Sequence, residues 1–468
     1  MITQQLLLSF KNNNAAIDEN GESITYGELD AFSEKLYAVI GHRCLVLCLC
    51  KNQLGSFSGY VSFLSKKMVP LLLADSLDNE SLKIMVHTYR PEFIWLPKEK
   101  AQEIKGPPVV FEAFNYVLIK CGFPNSFPLH DQLALLFTTS GSTGSPKLVR
   151  ISYQNIQSNA ESIAEYLSIT EKERPITSLP MNYSYGLSVI NSHILKGATV
   201  LLTDSSVMEK TFWTFLKNEK ATSLSGVPYT YEMLAKLRFS KMDIPSLTTL
   251  TQAGGKLSEK LCSEFGESCK ESDKRFFVMY GQTEATARMS YLSPEMVMEK
   301  PGSIGKPIRG GSFQLVDENN LPVTDNDTVG ELVYTGNNVS MGYAENGDDL
   351  QKEDENKGIL YTGDLARKDK DGFYYIVGRK KRFIKLFGNR IGLDEAEQML
   401  KNIIPDCACT GVDDRMVIYI TDPSKETQVY EFMTHKTGIH RSAFHVKCID
   451  IIPKNASGKT IYTNLSVA

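Results

Sequence analysis

Short apolar runs alternate with amphipathic stretches along most of the chain. Apolar runs bounded by turn residues are typical of buried strands, and they occur at Leu45–Cys50, Val69–Leu73, Leu133–Thr138 and Thr199–Leu202. One amphipathic stretch follows the third run, with Ser152 as a candidate N-cap. Its apolar face consists of Ile156, Ala160, Ile163, Ala164 and Leu167. The alternation predicts α/β layers with several buried strands.

From Gly302 onward the pattern changes to short extended runs separated by polar turns. The turn at 369–372 lies between two such runs and predicts a β-hairpin. Farther along, Asp394 and Glu397 have the spacing of a capping box that opens a helix. The apolar face of this helix consists of Ala396, Met399, Leu400 and Ile403. The remaining residues alternate strand and helix patterns, which suits a small α/β module.

These patterns predict an α/β protein with two domains. The large N-terminal domain, residues 1–380, is expected to combine layered α/β subdomains with a β-rich subdomain. A small and mobile α+β domain, residues 381–468, is expected to follow a hinge near 380–382.

Composition and charge exclude several classes of protein. Hydrophobic residues make up 42% of the 468 residues and charged residues 23%, as in soluble globular proteins. With 51 Lys and Arg against 55 Asp and Glu, no basic field favours nucleic acid or an anionic membrane. We recognise neither a signal peptide nor an apolar run of about 18 residues, so we expect a cytoplasmic protein without a membrane span. The nine cysteines lack metal-ligand spacing and are expected to be reduced, mostly buried thiols.

The most unusual segment is TTSGSTGSPK, residues 138–147. Its two glycines let backbone N–H groups converge, its hydroxyls add donors, and Lys147 adds a positive charge. Such a loop suits a polyphosphate. It is not a Walker A loop, because G-x-x-x-x-G-K-[ST] is absent and Pro146 prevents a helix from starting at the lysine in the usual way. An ordinary Ser/Gly surface loop remains open on composition alone.

Four further motifs follow in order. They are YGQTE (280–284), GELVYTG (330–336), YTGDL (361–365) with GRKKRFIK (378–385), and PKNASGK (453–459). In this order and spacing, the five motifs resemble the AMP-forming acyl-activating superfamily, also called adenylate-forming enzymes. That superfamily contains acyl-CoA synthetases, peptide-synthetase adenylation domains and luciferases. The resemblance extends over nearly the whole chain, from ITYGEL (24–29) to Lys459.

The resemblance implies an ATP-dependent carboxylic acid ligase. It would form an acyl-adenylate and pyrophosphate, then transfer the acyl group to a thiol of coenzyme A or of carrier-protein phosphopantetheine. The partners implied are a small carboxylic acid, ATP, Mg²⁺ and, as one alternative, an acyl carrier protein. The phosphate-binding loop would comprise Thr139, Ser140, Gly141, Ser142, Thr143, Gly144 and Lys147.

The resemblance also assigns roles around the nucleotide. Glu284 would hold Mg²⁺, Thr283 would contact the α-phosphate, and Asp364 would accept both ribose hydroxyls. Arg379 would make a second ribose or phosphate contact. The adenine would lie against the segment 253–256 and an aromatic ring, so the remaining nucleotide-binding residues are Gly254, Gly255, Lys256, Tyr280, Gly281 and Gln282.

Lys459 matches the catalytic lysine of the superfamily, which bridges the carboxylate substrate and the α-phosphate during adenylation. A lysine at the end of a small module can act there only if the module folds over the large domain. The superfamily then rotates this module to admit the thiol, and Lys381 occupies the hinge position.

The acid pocket is expected to include Tyr183, Tyr185, Gly186 and Val227. Amino-acid-activating relatives place an aspartate in this stretch, and the matching position here is Gly186. A buried ammonium without a carboxylate partner would cost several kcal/mol. A free α-amino acid is therefore disfavoured as substrate. Tyr183 and Tyr185 limit the volume of the pocket and offer hydroxyls, which favours a short or medium acid, hydroxylated or aromatic.

Two alternatives remain open from the sequence. The first is an adenylation enzyme that activates an amino acid for a carrier protein. The second is a non-catalytic nucleotide-binding protein on the same fold.

Overall fold

The computed structural model describes residues 2–102, 108–123, 126–138, 147–380, 382–387, 389–401, 403–455 and 458–465. Its helices are α1 (Gln4–Ser9), α2 (Tyr26–Ile40), α3 (Leu54–Ser65), α4 (Asn79–Tyr89), α5 (Lys98–Ala101), α6 (Tyr153–Tyr166), α7 (Ser184–Ile194), α8 (Lys210–Asn218), α9 (Pro228–Lys236), α10 (Glu259–Glu271), α11 (Leu393–Leu400) and α12 (Glu426–Thr437).

The strands before the β-rich region are β1 (Asn14–Asp18), β2 (Ser23–Thr25), β3 (Leu45–Cys50), β4 (Val69–Ala74), β5 (Phe93–Pro97), β6 (Val109–Ala113), β7 (Tyr116–Lys120), β8 (Leu133–Thr138), β9 (Leu148–Ser152), β10 (Pro175–Ile176), β11 (Val200–Leu202), β12 (Ser223–Gly226), β13 (Thr249–Gln252), β14 (Arg275–Tyr280), β15 (Ser290–Leu292) and β16 (Lys306–Pro307). The later strands are β17 (Gly311–Val316), β18 (Gly330–Gly336), β19 (Tyr343–Ala344), β20 (Ile359–Lys368), β21 (Tyr374–Arg379), β22 (Phe383–Leu386), β23 (Asn389–Gly392), β24 (Cys407–Val412), β25 (Arg415–Ile420) and β26 (Phe444–Cys448).

Two large mixed sheets form the α/β layers. The first has eight strands in the order β19-β9-β8-β4-β3-β5-β7-β6. The second has nine strands in the order β16-β15-β14-β13-β12-β10-β11-β1-β2. Strands β3, β4, β5 and β8 run parallel, and both faces of this sheet are covered by buried apolar side chains. Continuous apolar runs form these strands because a parallel sheet is buried on both faces.

The predicted elements of this region are confirmed with small shifts at their ends. Strands β3 and β8 have the predicted bounds, β4 ends one residue later, and β11 begins one residue later. Helix α6 starts after Ser152, whose side chain accepts a hydrogen bond from the backbone N–H of Asn155. Seven of the nine cysteines are buried, and all nine are free thiols.

A four-stranded antiparallel sheet, in the order β17-β18-β20-β21, forms the predicted β-rich subdomain. Strands β20 and β21 are the two arms of the predicted hairpin. Gly305 connects this sheet to the nine-stranded sheet, because its carbonyl accepts a hydrogen bond from the N–H of Tyr374 in β21. The connection places the hairpin beside the end of β14.

The C-terminal region contains a hairpin, β22-β23, and a three-stranded sheet, β24-β25-β26, packed with α11 and α12 around their own core. The predicted capping box is wrong, because the N-cap of α11 is Gly392 and Asp394 already lies inside the helix. Asp394 and Glu397 instead form ion pairs with Arg382. Arg382 is half-buried, and its charge is balanced by these two carboxylates. The boundary between residues 380 and 381 stays a prediction.

Among the helices that the structure describes, none combines the length and the apolar character that a membrane crossing requires.

We expect Gly305→Ala to lower the free energy of unfolding more than Gly310→Ala. Both glycines have positive φ, 78° and 80°, so both changes incur a backbone cost of about 1–2 kcal/mol. Only at Gly305 would the new Cβ overlap backbone, at 1.8 Å from the Tyr291 carbonyl oxygen, whereas Gly310 has open space. Overpacking adds roughly 1–3 kcal/mol. Equal midpoints in urea unfolding would contradict this account of the subdomain connection.

Candidate functional site

The YGQTE segment forms a tight turn at the end of β14. The chain folds back so closely that a Cβ on Gly281 would lie 1.7 Å from the Ala287 carbonyl oxygen. The backbone N–H of Met289 then donates to the Tyr280 carbonyl at 2.8 Å. Only glycine permits this approach, so the turn presents Gln282, Thr283 and Glu284 at the edge of the sheet.

The site has two parts, and the first is built around the carboxylate of Asp364, which is only 3% exposed. Its Oδ2 accepts hydrogen bonds from the hydroxyl of Tyr280 at 2.5 Å and from Nε2 of Gln282 at 2.8 Å. Its Oδ1 accepts one from Nε of Arg379 at 3.0 Å. Burial and the adjacent carboxylate raise the pKa of Tyr280 well above its ordinary value, so the phenol stays protonated and donates.

Glu284 lies in the second part of the site, next to Tyr343. The Tyr343 hydroxyl donates to Oε1 of Glu284 at 2.9 Å, and burial together with this carboxylate raises the pKa of Tyr343. The ammonium of Lys147 lies 3.9 Å from the centre of the same ring and 3.4 Å from Oε1 of Glu345. Pairing of β19 with β9 creates this contact, since Lys147 directly precedes β9.

Glu284 fits a magnesium ion. Among the described residues, none donates a hydrogen bond to its Oε2. Magnesium prefers oxygen ligands and is usually bound by one or two carboxylates together with phosphate oxygens. A half-buried carboxylate with one oxygen available meets that requirement.

The loop that carries Lys459 is docked on the large domain. Gly458 packs on the start of α9, where a Cβ on this residue would lie 3.2 Å from side-chain atoms of Val227 and Tyr229. The ammonium of Lys454 lies 5.2 Å from the centre of the Tyr229 ring. Within the loop, the N–H of Lys459 donates to Oδ1 of Asn455 at 2.9 Å.

Docking brings the Lys459 ammonium to 5.8 Å from the centre of the Tyr183 ring. Burial and the nearby Arg379 lower the pKa of Lys459, while Glu284 and Asp364 oppose that shift. The structure thus brings a partly desolvated cation, an arginine and two carboxylates to one cleft.

Tyr183 and Tyr185 lie at the start of α7, with their ring centres 6.3 Å apart. The Tyr185 hydroxyl donates to the Thr251 carbonyl at 2.9 Å, and both rings belong to a buried cluster that includes Val227. A Cβ on Gly186 would lie 2.2 Å from the Pro180 carbonyl oxygen, so the backbone leaves no space for a side chain there.

The remaining predicted positions fall into two groups. Gly254 and Gly255 follow β13 beside Val227 and Pro228, while Lys256 is exposed at the rim of the cleft. The other predicted positions lie outside the described residues, and they are Thr139, Ser140, Gly141, Ser142, Thr143, Gly144 and Lys381.

Sequence reasoning missed two residues that contribute to the site, Tyr343 and Arg288, and it missed the contact that Ser184 makes. Ser184 Oγ lies 3.0 Å from Thr283 Oγ1 and connects α7 to the YGQTE turn. Tyr343 connects Lys147 to Glu284. Arg288 is 2% exposed and packs over the Tyr185 ring. The sequence offered one indication that Arg288 belongs to the site: it lies four residues beyond Glu284, in the turn that forms the site.

The arrangement matches the needs of nucleophilic attack on a nucleotide phosphate. Two negatively charged reactants have to approach each other, and fixed cations and hydrogen-bond donors reduce their repulsion.

Comparison with known proteins connects this geometry to a family. The family model for "AMP-binding enzyme" matches residues 8–344. A 2-succinylbenzoate–CoA ligase of Bacillus licheniformis is 30% identical over 341 residues, which cover 70% of this chain and 69% of the relative.

Solved structures have the same fold. The o-succinylbenzoate CoA synthetase of Bacillus subtilis, in complex with its acyl-adenylate intermediate, gives a TM-score of 0.79 at 23% identity and covers 99% of this chain and 98% of that one. An anthranilate CoA ligase with anthranoyl-AMP gives a TM-score of 0.81 at 19% identity, covering 99% and 96%.

These matches confirm the predicted fold class and the predicted resemblance, whereas the roles of individual residues stay predictions. The chain belongs to the AMP-binding enzyme family, and within it to the AMP-forming acid–thiol ligases.

Proposed function

We propose that this ligase activates an aromatic carboxylic acid with ATP and transfers the acyl group to coenzyme A. The observation that carries the proposal is the docked loop, which brings the Lys459 ammonium to 5.8 Å from the centre of the Tyr183 ring and into the field of the Glu284 and Asp364 carboxylates. A cation at this point can contact both the acid and the α-phosphate.

Asp364 is proposed to bind the ribose. A carboxylate can accept hydrogen bonds from two vicinal hydroxyls, and this one is held in place from both sides by Gln282 and Arg379. The adenine is proposed to lie beside Gly254, Gly255 and the Tyr280 ring.

The phosphates are proposed to lie between Lys147 and Glu284. Magnesium bound at Glu284 would neutralise phosphate charge. Thr283, held by Ser184, is in position to donate to an α-phosphate oxygen. The substrate carboxylate attacks the α-phosphorus and pyrophosphate leaves, while Lys459 stabilises the negative charge shared by the two reacting groups.

Two rings in the pocket support an aromatic acid. Tyr183 and Tyr185 stand edge to face, and an aryl group gains favourable contacts with such rings. Two relatives are named a 2-succinylbenzoate–CoA ligase and an anthranilate CoA ligase, and the acid in each name contains a benzene ring. The same names support coenzyme A as the acceptor.

A carrier protein is the alternative acceptor, and rotation of residues 381–468 about Lys381 would expose the acyl-adenylate to either thiol. A cytoplasmic location, where ATP and coenzyme A are both present, belongs to the proposal.

Replacement of Lys459 by alanine is expected to slow adenylation by roughly 10²-fold or more, because one cation is lost where charge accumulates. The measurement is acid-dependent exchange of labelled pyrophosphate into ATP. Lys436→Ala, which removes an exposed cation from the same domain, is the matched control and is expected to leave the rate unchanged.

A folding defect is excluded by the second half-reaction. Lys459→Ala supplied with synthetic acyl-adenylate and coenzyme A is expected to form thioester at the wild-type rate. Full exchange activity in Lys459→Ala would overturn its proposed role.

Asp364→Asn is expected to raise the KM for ATP by roughly 10- to 100-fold, since hydrogen bonds to a charged group contribute about 1.5–3 kcal/mol. Asp348→Asn removes an exposed carboxylate and serves as control. An unchanged KM for ATP in Asp364→Asn would exclude this carboxylate as the ribose site.

Free amino acids are expected to give no exchange, whereas deaminated analogues do. The pocket has no room for a carboxylate at Gly186 to pair with an ammonium. The measurement compares phenylalanine with 3-phenylpropanoate, and anthranilate, an aryl amine uncharged at neutral pH, with benzoate. Exchange with phenylalanine alone would favour the amino-acid-activating alternative.

A further inference from the structure

Arg288 is a buried cation in the wall of the acid pocket. The residue comes four positions after Glu284 of the YGQTE turn, and its side chain is 2% exposed. Nε donates to Ser188 Oγ at 3.1 Å, Nη1 donates to the Tyr166 hydroxyl at 2.9 Å, and the guanidinium carbon lies 5.1 Å from the centre of the Tyr185 ring. These partners are neutral.

No carboxylate within the described ranges forms an ion pair with Arg288, and its Nη2 makes no hydrogen bond to those residues. Burial of a cation without an opposite charge is unfavourable. The other fully buried arginine among the described residues, Arg150, has an acidic partner. Arg150 pairs with Glu355 at 2.7 Å and donates to several backbone carbonyls.

Arg288 is surrounded by residues that pack with the proposed acid pocket. It contacts Tyr166 and Met279, both of which pack in the buried cluster that contains Tyr185 and Val227. Each of the two pocket tyrosines has a cation near its ring. Lys459 faces the Tyr183 ring at 5.8 Å, and Arg288 faces the Tyr185 ring at 5.1 Å.

We propose that Arg288 binds a second carboxylate of the substrate, so that the activated acid is a dicarboxylate. This inference rests on the proposed function, because it assigns the far end of the same pocket. One carboxylate lies at Lys459 and reacts, whereas the other completes the charge balance at Arg288. A guanidinium suits this task because its planar donors can hold a carboxylate in two hydrogen bonds.

The acid in the name of several relatives provides a matched pair of probes. 2-Succinylbenzoate has two carboxyl groups, and 4-oxo-4-phenylbutanoate is the same molecule without the ring carboxylate. Phthalate with benzoate, and succinate with butyrate, are shorter pairs. Pyrophosphate exchange is measured for both members of each pair.

We expect wild-type kcat/KM to favour the dicarboxylate of at least one pair by about 100-fold. Arg288→Met is expected to reduce that preference to within a few-fold and to leave the KM for ATP unchanged. Arg288→Lys keeps the charge without the planar donors. Its dicarboxylate preference is expected to lie between those of the wild type and Arg288→Met. Arg309→Met, which removes an exposed arginine, is the control and keeps the wild-type preference.

Thermal melting separates this role from a purely structural one. Without acid, Arg288→Met is expected to melt at or above the wild-type temperature, because an unpaired buried charge has been removed. The preferred dicarboxylate is expected to raise the melting temperature of the wild type and not that of Arg288→Met.

The possible failures differ in what they overturn. Equal wild-type exchange with both members of every active pair, or an unchanged preference in Arg288→Met, overturns the dicarboxylate assignment and leaves the proposed function standing. Lack of exchange with all six acids overturns the proposed function, and this inference with it.

Discussion

The buried carboxylate of Asp364 accepts hydrogen bonds from two parts of the molecule that are remote in sequence. Tyr280 and Gln282 approach it from the end of β14, and Arg379 approaches it from the last residue of β21. A buried carboxylate is stable only when its oxygens have such partners. The requirement therefore fixes the β-rich subdomain against the nine-stranded sheet.

Charge organises the rest of the cleft. Glu284 and Asp364 lie on the large domain, and the C-terminal loop brings Lys459 into their field. Lys459 is partly desolvated there, so its charge acts strongly on anything beside it. In the proposed function, a cation delivered by a docked loop can also leave, so that one cleft serves two successive reactions. Arg288 is a further, buried cation that packs over the Tyr185 ring.

Much of the architecture could be predicted from the sequence because buried parallel strands appear as continuous apolar runs. Strands β3 and β8 have the predicted bounds for this reason. The capping box at Asp394 and Glu397 failed because the same residue types also serve as ion-pair partners for an arginine, here the half-buried Arg382. Local spacing cannot distinguish a cap from a long-range ion pair.

The site was predictable where a motif carried its chemistry. Tyr280 and Asp364 form a hydrogen bond and Glu284 accepts one from Tyr343, whereas the roles of all three stay predictions. Tyr343 was missed because its contacts depend on the pairing of β19 with β9, which are far apart in the chain. Arg288 was missed because its significance lies in its burial without an acidic partner among the described residues, a property that no spacing reveals.

A crystal structure with a stable acyl-adenylate analogue, an acyl sulfamoyl-adenosine, would test the central claim most directly. The account predicts ribose hydroxyls on the Asp364 carboxylate and the Lys459 ammonium within hydrogen-bond distance of the acyl carbonyl or the sulfamoyl group. An analogue bound elsewhere, or bound here with the C-terminal loop docked but Lys459 directed away from it, would contradict the account.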